Sequence, residues 1–317
     1  MMNDDHYVDP EIKPALERMK ARMAARAPMT DVPVVDMRRR ARDDFAAMNA
    51  HLPALAYIED KMIEGAFGKR EARIYDAIGA RAEAPGLIYF HGGGWIVGDL
   101  DSEDEKLRRL ALASGIRIVS VDYVLAPEHK FPDPLEDCIA AVKSIRKSAP
   151  ELGLDAERLA IGGASAGANL ALSTAIALRE DNTSWLRFML LFYGAYDMAS
   201  QAPSRSLFNE GYGMTAEAME FFYSLYLNGP TERTDPRASP LHAELGNLPP
   251  AFINAASLDV LRDDSRALAG KLRERGVAID YDEAPGVIHG YTLLAHEVAA
   301  ARDTIKRAAH ALRLALV

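Results

Sequence analysis

Apolar and polar positions change rhythm at about residue 85 of the chain. Before that point helical spacing dominates. In "DPEIKPALERMKARMAARA" Ile12, Leu16, Met19 and Met23 recur at intervals of three and four, the stripe that an amphipathic helix buries. Pro33 in "TDVPVVD" breaks the pattern, and a second helix is predicted through Arg38–Asn49. "AYIEDKMIEG" and "REARIYDAI" flank the turn "FGK" and read as an antiparallel strand pair. Short apolar runs then follow at "GLIYF", "IRIVSVDY", "RLAIGG", "RFMLLFY", "AFINAA" and "VAIDYDEA". Helical patterns separate most of them, over Glu103–Ser114, Leu135–Ser148, Ala166–Arg179, Asp263–Arg275 and from about His296. Strand and helix alternating in this way predict an α/β fold with a mainly parallel sheet covered on both faces.

The interval between "RFMLLFY" and "AFINAA", residues 194–250, is longer than one crossover needs. It holds "MTAEAMEFFYSLYL", with Met219, Phe222, Tyr223 and Tyr226 in one stripe. This stretch is predicted to leave the sheet and pack with the N-terminal helices. No internal repeat or low-complexity tract is visible.

Composition narrows the function. With 49% hydrophobic and 26% charged residues, a chain of 34.7 kDa can bury a sizeable core. A net charge of -9 argues against a nucleic-acid partner, which clustered Lys and Arg would have to hold. The basic cluster in "DMRRRARDD" is flanked by acids and reads as a solvated helix face. "MMNDDHYVDPEIKP" has acids where a signal peptide has basic residues. The longest apolar stretch, "FMLLFYGAY" from Phe188, is too short to span a bilayer, so a cytoplasmic protein is expected. A single cysteine rules out an internal disulfide, and Cys138 shares a helical stripe with Leu135, Ile139 and Val142, which makes it a packing residue. Neither a metal-ligand cluster nor a dinucleotide loop occurs in the sequence, so no metal and no cofactor are expected.

Chemistry concentrates in a few loops. In "RLAIGGASAGANLAL" the segment Gly163-Ala164-Ser165-Ala166-Gly167 fits G-x-S-x-G, between a strand and an Ala/Leu helix. Such a turn is so sharp that side chains two positions either side of the serine would collide with neighbouring backbone. The bland alternative is a Gly/Ala turn in which the serine is incidental. "LIYFHGGGWIVGD" places Gly92, Gly93 and Gly94 directly after a strand, where N–H groups can face a carbonyl oxygen that becomes negative. An ordinary loop is the alternative; a phosphate loop would need a Gly-Lys-Ser/Thr ending, which is missing. His91, at the strand end, is expected to orient this loop.

A serine nucleophile needs a base, and the base needs an orienting acid. Of the eight histidines, His242, His289, His296 and His310 follow Ser165. His289 in "APGVIHGY" falls between the last strand and the last helix; His296 and His310 are assigned to that helix and His242 to a connection. His289 is therefore the chosen base. Asp259 in "AFINAASLDVLRDD" follows a strand, whereas Asp263 and Asp264 open the next helix. Asp197 also follows a strand and is the competitor. Asp259 is preferred because its strand should adjoin the one before His289.

These motifs together, "HGGGW", "DYVLAPEHKFPDPLED", "GGASAGANLAL", "DVLRDD" and "IHGY" in that order, resemble the hormone-sensitive-lipase-like (family IV) α/β-hydrolase esterases. The resemblance covers most of the chain. It implies Ser165 as nucleophile, Asp259 as acid, His289 as base, and an oxyanion hole of Gly93, Gly94 and the N–H of Ala166. Substrate contacts are expected at Gly92, Trp95 and Tyr212. It also implies a helical cap, formed by residues 1–55 and 199–235, over a core of residues 56–198 and 236–317. Three departures stand out: Ala164 where many members carry an acid, Ala168 where they carry glycine, and Val124 where arginine is usual. The activity implied is hydrolysis of short-to-medium acyl esters, with a small-molecule ester as partner. An amidase, formamidase or lactonase with the same triad stays open, as does a non-catalytic small-molecule receptor, although receptors of this fold usually lose a triad member. "VAIDYDEA" is expected at a sheet edge, where it could pair with its copy in a homodimer.

Overall fold

The change of rhythm along the chain becomes a change of layer in the computed structural model, which describes residues 6–49, 51–79, 82–179 and 184–317. The acids Asp4 and Asp5 of the N-terminal reading lie outside these residues. Helices α1 (Lys13–Ala24) and α2 (Val34–Met48) come first, followed by the hairpin β1 (Tyr57–Gly65) and β2 (Gly68–Asp76). The alternating part runs β3 (Ala84–Phe90), α3 (Asp104–Ser114), β4 (Arg117–Val121), α4 (Asp133–Lys147), β5 (Leu154–Ala164), α5 (Ala166–Leu178) and β6 (Leu186–Phe192). The excursion contributes α6 (Ser204–Leu207) and α7 (Ala216–Tyr226) before β7 (Ala251–Leu258), α8 (Arg262–Glu274), β8 (Ile279–Ile288) and α9 (Ala299–Leu316).

Among the described residues eight strands form one sheet in the order β1-β2-β4-β3-β5-β6-β7-β8. The pairs β1–β2 and β2–β4 are antiparallel, and every pair from β4 to β8 is parallel. Strands β3 and β4 are buried throughout, as central strands covered on both faces are, and in β4 this includes Arg117, whose guanidinium pairs with buried Asp76. Helix α3 packs against α9 on one face and α4 against α5 on the other. Cys138 lies fully buried in α4, where burial pushes its thiol pKa well up. Among the described residues no helix is long and apolar enough to cross a membrane.

Several boundaries differ from the pattern, each for a local reason. Pro33 does not precede a gap; α2 begins on it at Val34, since a proline at a helix start loses no hydrogen bond. The first turn of the hairpin is Ala66–Phe67, so Gly68 and Lys69 already belong to β2. Met23 is 57% exposed, because α1 buries only its first turn deeply. Strand β8 continues to Ile288, four residues beyond the alternation in "VAIDYDEA", and His289 follows it immediately. His296 lies in a turn before α9 rather than on the helix. The predicted stripe of α7 holds: Met219, Phe222, Tyr223 and Tyr226 are all buried.

Candidate active site

The C-terminal ends of parallel strands open onto one rim of the sheet, and Ser165, Asp259 and His289 follow β5, β7 and β8 there. Ser165 stands between β5 and α5 with φ 54° and ψ -119°, a left-handed conformation that costs a non-glycine residue strain. Small neighbours make the turn possible. A Cβ on Gly163 would lie 2.7 Å from the Phe90 carbonyl oxygen, and one on Gly167 would lie 2.5 Å from that of His91. The Ser165 N–H donates to the Phe192 carbonyl (2.9 Å), which fastens the turn to the end of β6.

His289 Nε2 lies 2.9 Å from Ser165 Oγ, and its Nδ1 lies 2.7 Å from Asp259 Oδ2. Both distances fit a neutral imidazole that donates from Nδ1 and accepts the serine proton at Nε2. Asp259 is buried, with its other oxygen accepting the Leu261 N–H at 2.9 Å. Serine, imidazole and carboxylate thus form one chain of hydrogen bonds, drawn from three strand ends. Asp197 is elsewhere: it accepts from the Ala199 N–H and meets His242 Nε2 at 3.0 Å, at the start of the excursion.

The glycine loop faces this chain from the end of β3. Gly93 and Gly94 have φ of 123° and 61°, conformations in which a side chain is strained. Among the described residues the N–H groups of Gly93, Gly94 and Ala166 donate to no other protein group. Ala166 opens α5, so the helix dipole adds positive potential at that N–H. A Cβ on Gly94 would meet the Phe222 ring at 2.7 Å, so α7 lies directly over the loop. Phe222 also lines a cavity of about 370 Å³, together with Met23, Met29, Val32, Met37 and Val97.

The expected substrate contacts are placed differently from one another. Gly92 spends its N–H on Glu103 Oε1 at 2.7 Å, so it offers no donor to a ligand. Trp95 is fully buried, its ring stacked on Tyr226 at 4.6 Å, and so packs beneath the surface of the site. Tyr212 is half-buried with its hydroxyl 3.1 Å from His6 Nδ1. His91 stacks on Tyr123 (centroids 4.5 Å apart) and places Nδ1 2.7 Å from the Gly92 carbonyl oxygen, which fits its expected role in shaping the loop.

Sequence reasoning missed four residues around the site. Arg38, counted among the solvated arginines of α2, donates from Nε to the Ile96 carbonyl (2.9 Å) and from its terminal nitrogens to Ala126 and Glu128. Tyr193 sits edge-on to His289, with ring centroids 5.1 Å apart, and its hydroxyl is hydrogen-bonded to that of Thr292. Glu103 and Lys106, which resemble surface charges at a helix start, form a buried ion pair under the glycine loop. Only the proximity of "DLDSEDEK" to the glycines could have hinted at it.

Known proteins resemble this chain in sequence and in fold. Residues 87–293 match the family described as alpha/beta hydrolase fold. Esterase LipI of Mycobacterium tuberculosis is 34% identical over 314 residues, covering 98% of this chain and 95% of that protein. Carboxylic ester hydrolase LipN of the same organism is 35% identical over 268 residues, 78% of this chain and 70% of the relative. The hyperthermophilic esterase of the archaeon Pyrobaculum calidifontis superposes with a TM-score of 0.92 at 33% identity, over 98% of this chain and 100% of the other.

Proposed function

The chain belongs to the hormone-sensitive-lipase-like esterases of the α/β-hydrolase fold, and from that membership we propose that it is a serine carboxylesterase working through an acyl-enzyme. One observation carries this reading: the unbroken line from Ser165 Oγ through the His289 imidazole to Asp259 Oδ2, at 2.9 and 2.7 Å. Ser165 Oγ attacks the ester carbonyl as His289 Nε2 takes its proton. The carbonyl oxygen, now negative, is held by the N–H groups of Gly93, Gly94 and Ala166. His289 returns the proton to the departing alcohol, leaving the acyl group on Ser165. A water molecule, deprotonated by His289, attacks the acyl-enzyme, and collapse of the second tetrahedral intermediate frees the acid and restores the serine proton. Asp259 keeps the imidazole in the tautomer that can accept, and stabilises the imidazolium between steps.

The helices before residue 56 and those of 199–235 form the proposed cap over this site. The cavity of about 370 Å³ beside Phe222 and Val97 is lined also by Arg26, Arg40 and Asp44, and short-to-medium acyl esters are the proposed substrates. Strand β8 ends the sheet, and its outer edge is the surface proposed for pairing with a second copy; light scattering on the native protein distinguishes one copy from two.

Ser165→Ala tests the proposal, assayed on p-nitrophenyl esters from acetyl to dodecanoyl with amide and lactone controls. Because the serine and imidazole act as a unit, the variant should lose at least about 10⁴-fold in kcat while keeping its fold. An alanine variant with wild-type turnover overturns the assignment. Faster hydrolysis of the amide or lactone than of every ester by the wild type would move the substrate class instead.

A further inference from the structure

Under the glycine loop lies a polar cluster that the mechanism above does not use. Glu103, in the turn that opens α3, is 4% exposed, and Lys106 one turn later is 1% exposed. Their side chains form an ion pair. Glu103 Oε1 accepts the Gly92 N–H at 2.7 Å, while Oε2 accepts the Tyr89 hydroxyl at 2.8 Å. Lys106 Nζ donates to the same Tyr89 oxygen at 2.6 Å and lies 5.0 Å from the centroids of the Tyr89 and Phe192 rings. Burial pushes the Glu103 carboxyl up, but the Lys106 ammonium and the N–H and O–H donors outweigh it and hold the group below its usual range. Both oxygens are thus engaged.

Stability does not explain such a pair. Two buried charges recover little more than their desolvation, and an apolar pair of similar volume often serves a fold as well or better. What the pair does supply is a charge-assisted acceptor at one chosen backbone atom, stronger than a neutral one. An unpaired carboxylate there would repel the negative charge that develops on a substrate carbonyl. Lys106 cancels that charge and leaves the acceptor in place. Gly92 immediately precedes the two glycines whose N–H groups have no protein acceptor, so fixing its N–H fixes the direction in which the next peptides point.

We propose that Glu103 is a positioning residue for the oxyanion hole, its carboxylate anchoring the Gly92 N–H so that Gly93 and Gly94 aim their own N–H groups at the reacting oxygen, with Lys106 as its neutralising partner. This rests on the oxyanion hole assigned above. Donors that are mis-aimed lose stabilisation of the transition state more than of the bound ester, so the effect belongs to kcat rather than KM.

Two double variants separate positioning from packing. Glu103→Gln with Lys106→Met keeps an amide oxygen for Gly92 and removes both charges. Glu103→Leu with Lys106→Met removes the acceptor and leaves an apolar core. The glutamine variant should stay within about fivefold of wild-type kcat. The leucine variant should melt within a few degrees of wild type, yet lose about 10- to 100-fold in kcat with KM changed less than about threefold, since one lost oxyanion donor is worth about 100- to 1000-fold. It should also bind a trifluoromethyl ketone more weakly by a similar factor. A folded leucine variant within fivefold of wild type, or a loss carried by KM, overturns the proposal. Should the leucine variant not fold, the glutamine variant decides: within fivefold supports the acceptor role, and a larger loss rejects it. Labelling of wild-type Ser165 by a fluorophosphonate tests the triad separately, so failure of one assignment is not mistaken for failure of the other.

Discussion

Asp197 and Asp259 both follow a strand, and they part company in what meets their carboxylates. Asp259 is buried with one oxygen on His289 and the other on the Leu261 N–H. Asp197 instead pairs with His242. Asp259→Asn should therefore hold the imidazole in the wrong tautomer and lower kcat about 10⁴-fold, whereas Asp197→Asn should stay within about threefold, because a half-exposed pair is worth little. Paired kinetics on one chromogenic ester check both, and equal losses would count against Asp259. At this scale the sequence was readable where chemistry constrains the residue type. Ser165, His289 and the glycines are short of alternatives at their positions. Glu103, Lys106 and Arg38 were not readable, since a charged residue looks the same in sequence whether water or a buried partner solvates it.

Elements were legible through their period, and their ends were not. The stripe of α7 and the alternation of strand and helix from β3 onward survive in the structure because burial enforces them. Ends depend on short-range bonds that hydropathy does not register, as at α2, β8 and the turn before α9. The turn from β5 to α5 was the exception. There the spacing of glycines reports a steric demand directly: a Cβ on Gly167 would press into the carbonyls of both Phe90 and His91. These are backbone atoms at the end of β3 and of the residue that follows it, and they cannot swing aside. Gly167→Ala should accordingly lower stability by about 2 kcal/mol or more, read from a urea titration, and reduce kcat by displacing Ser165. An alanine variant with unchanged midpoint and rate would show that the turn has more room than these distances allow.

At the scale of the whole molecule, the N-terminal helices are tied to the rim of the sheet by Arg38, which bonds to the Ile96 and Ala126 carbonyls and to Glu128. Arg38→Ala removes charge-assisted bonds worth about 2 kcal/mol. It should speed protease cleavage in the link between α1 and α2, at residues 25–33, while the sheet stays resistant. Unchanged cleavage would mean that the helices are held by packing alone. The layered sheet could be anticipated from the chain's alternation, but this tie could not, because its partners are separated by 58 and 88 residues.

Separation along the chain has a last consequence at the same rim. Ser165 and its imidazole are 124 residues apart, and the imidazole and its carboxylate 30. They meet only when β5, β6, β7 and β8 have docked side by side in register. With the proposed triad, turnover becomes a coincidence signal. A refolding population with helices regained but β8 still undocked would look nearly native by circular dichroism and remain silent in an ester assay. The moment at which hydrolysis resumes would time-stamp completion of the sheet.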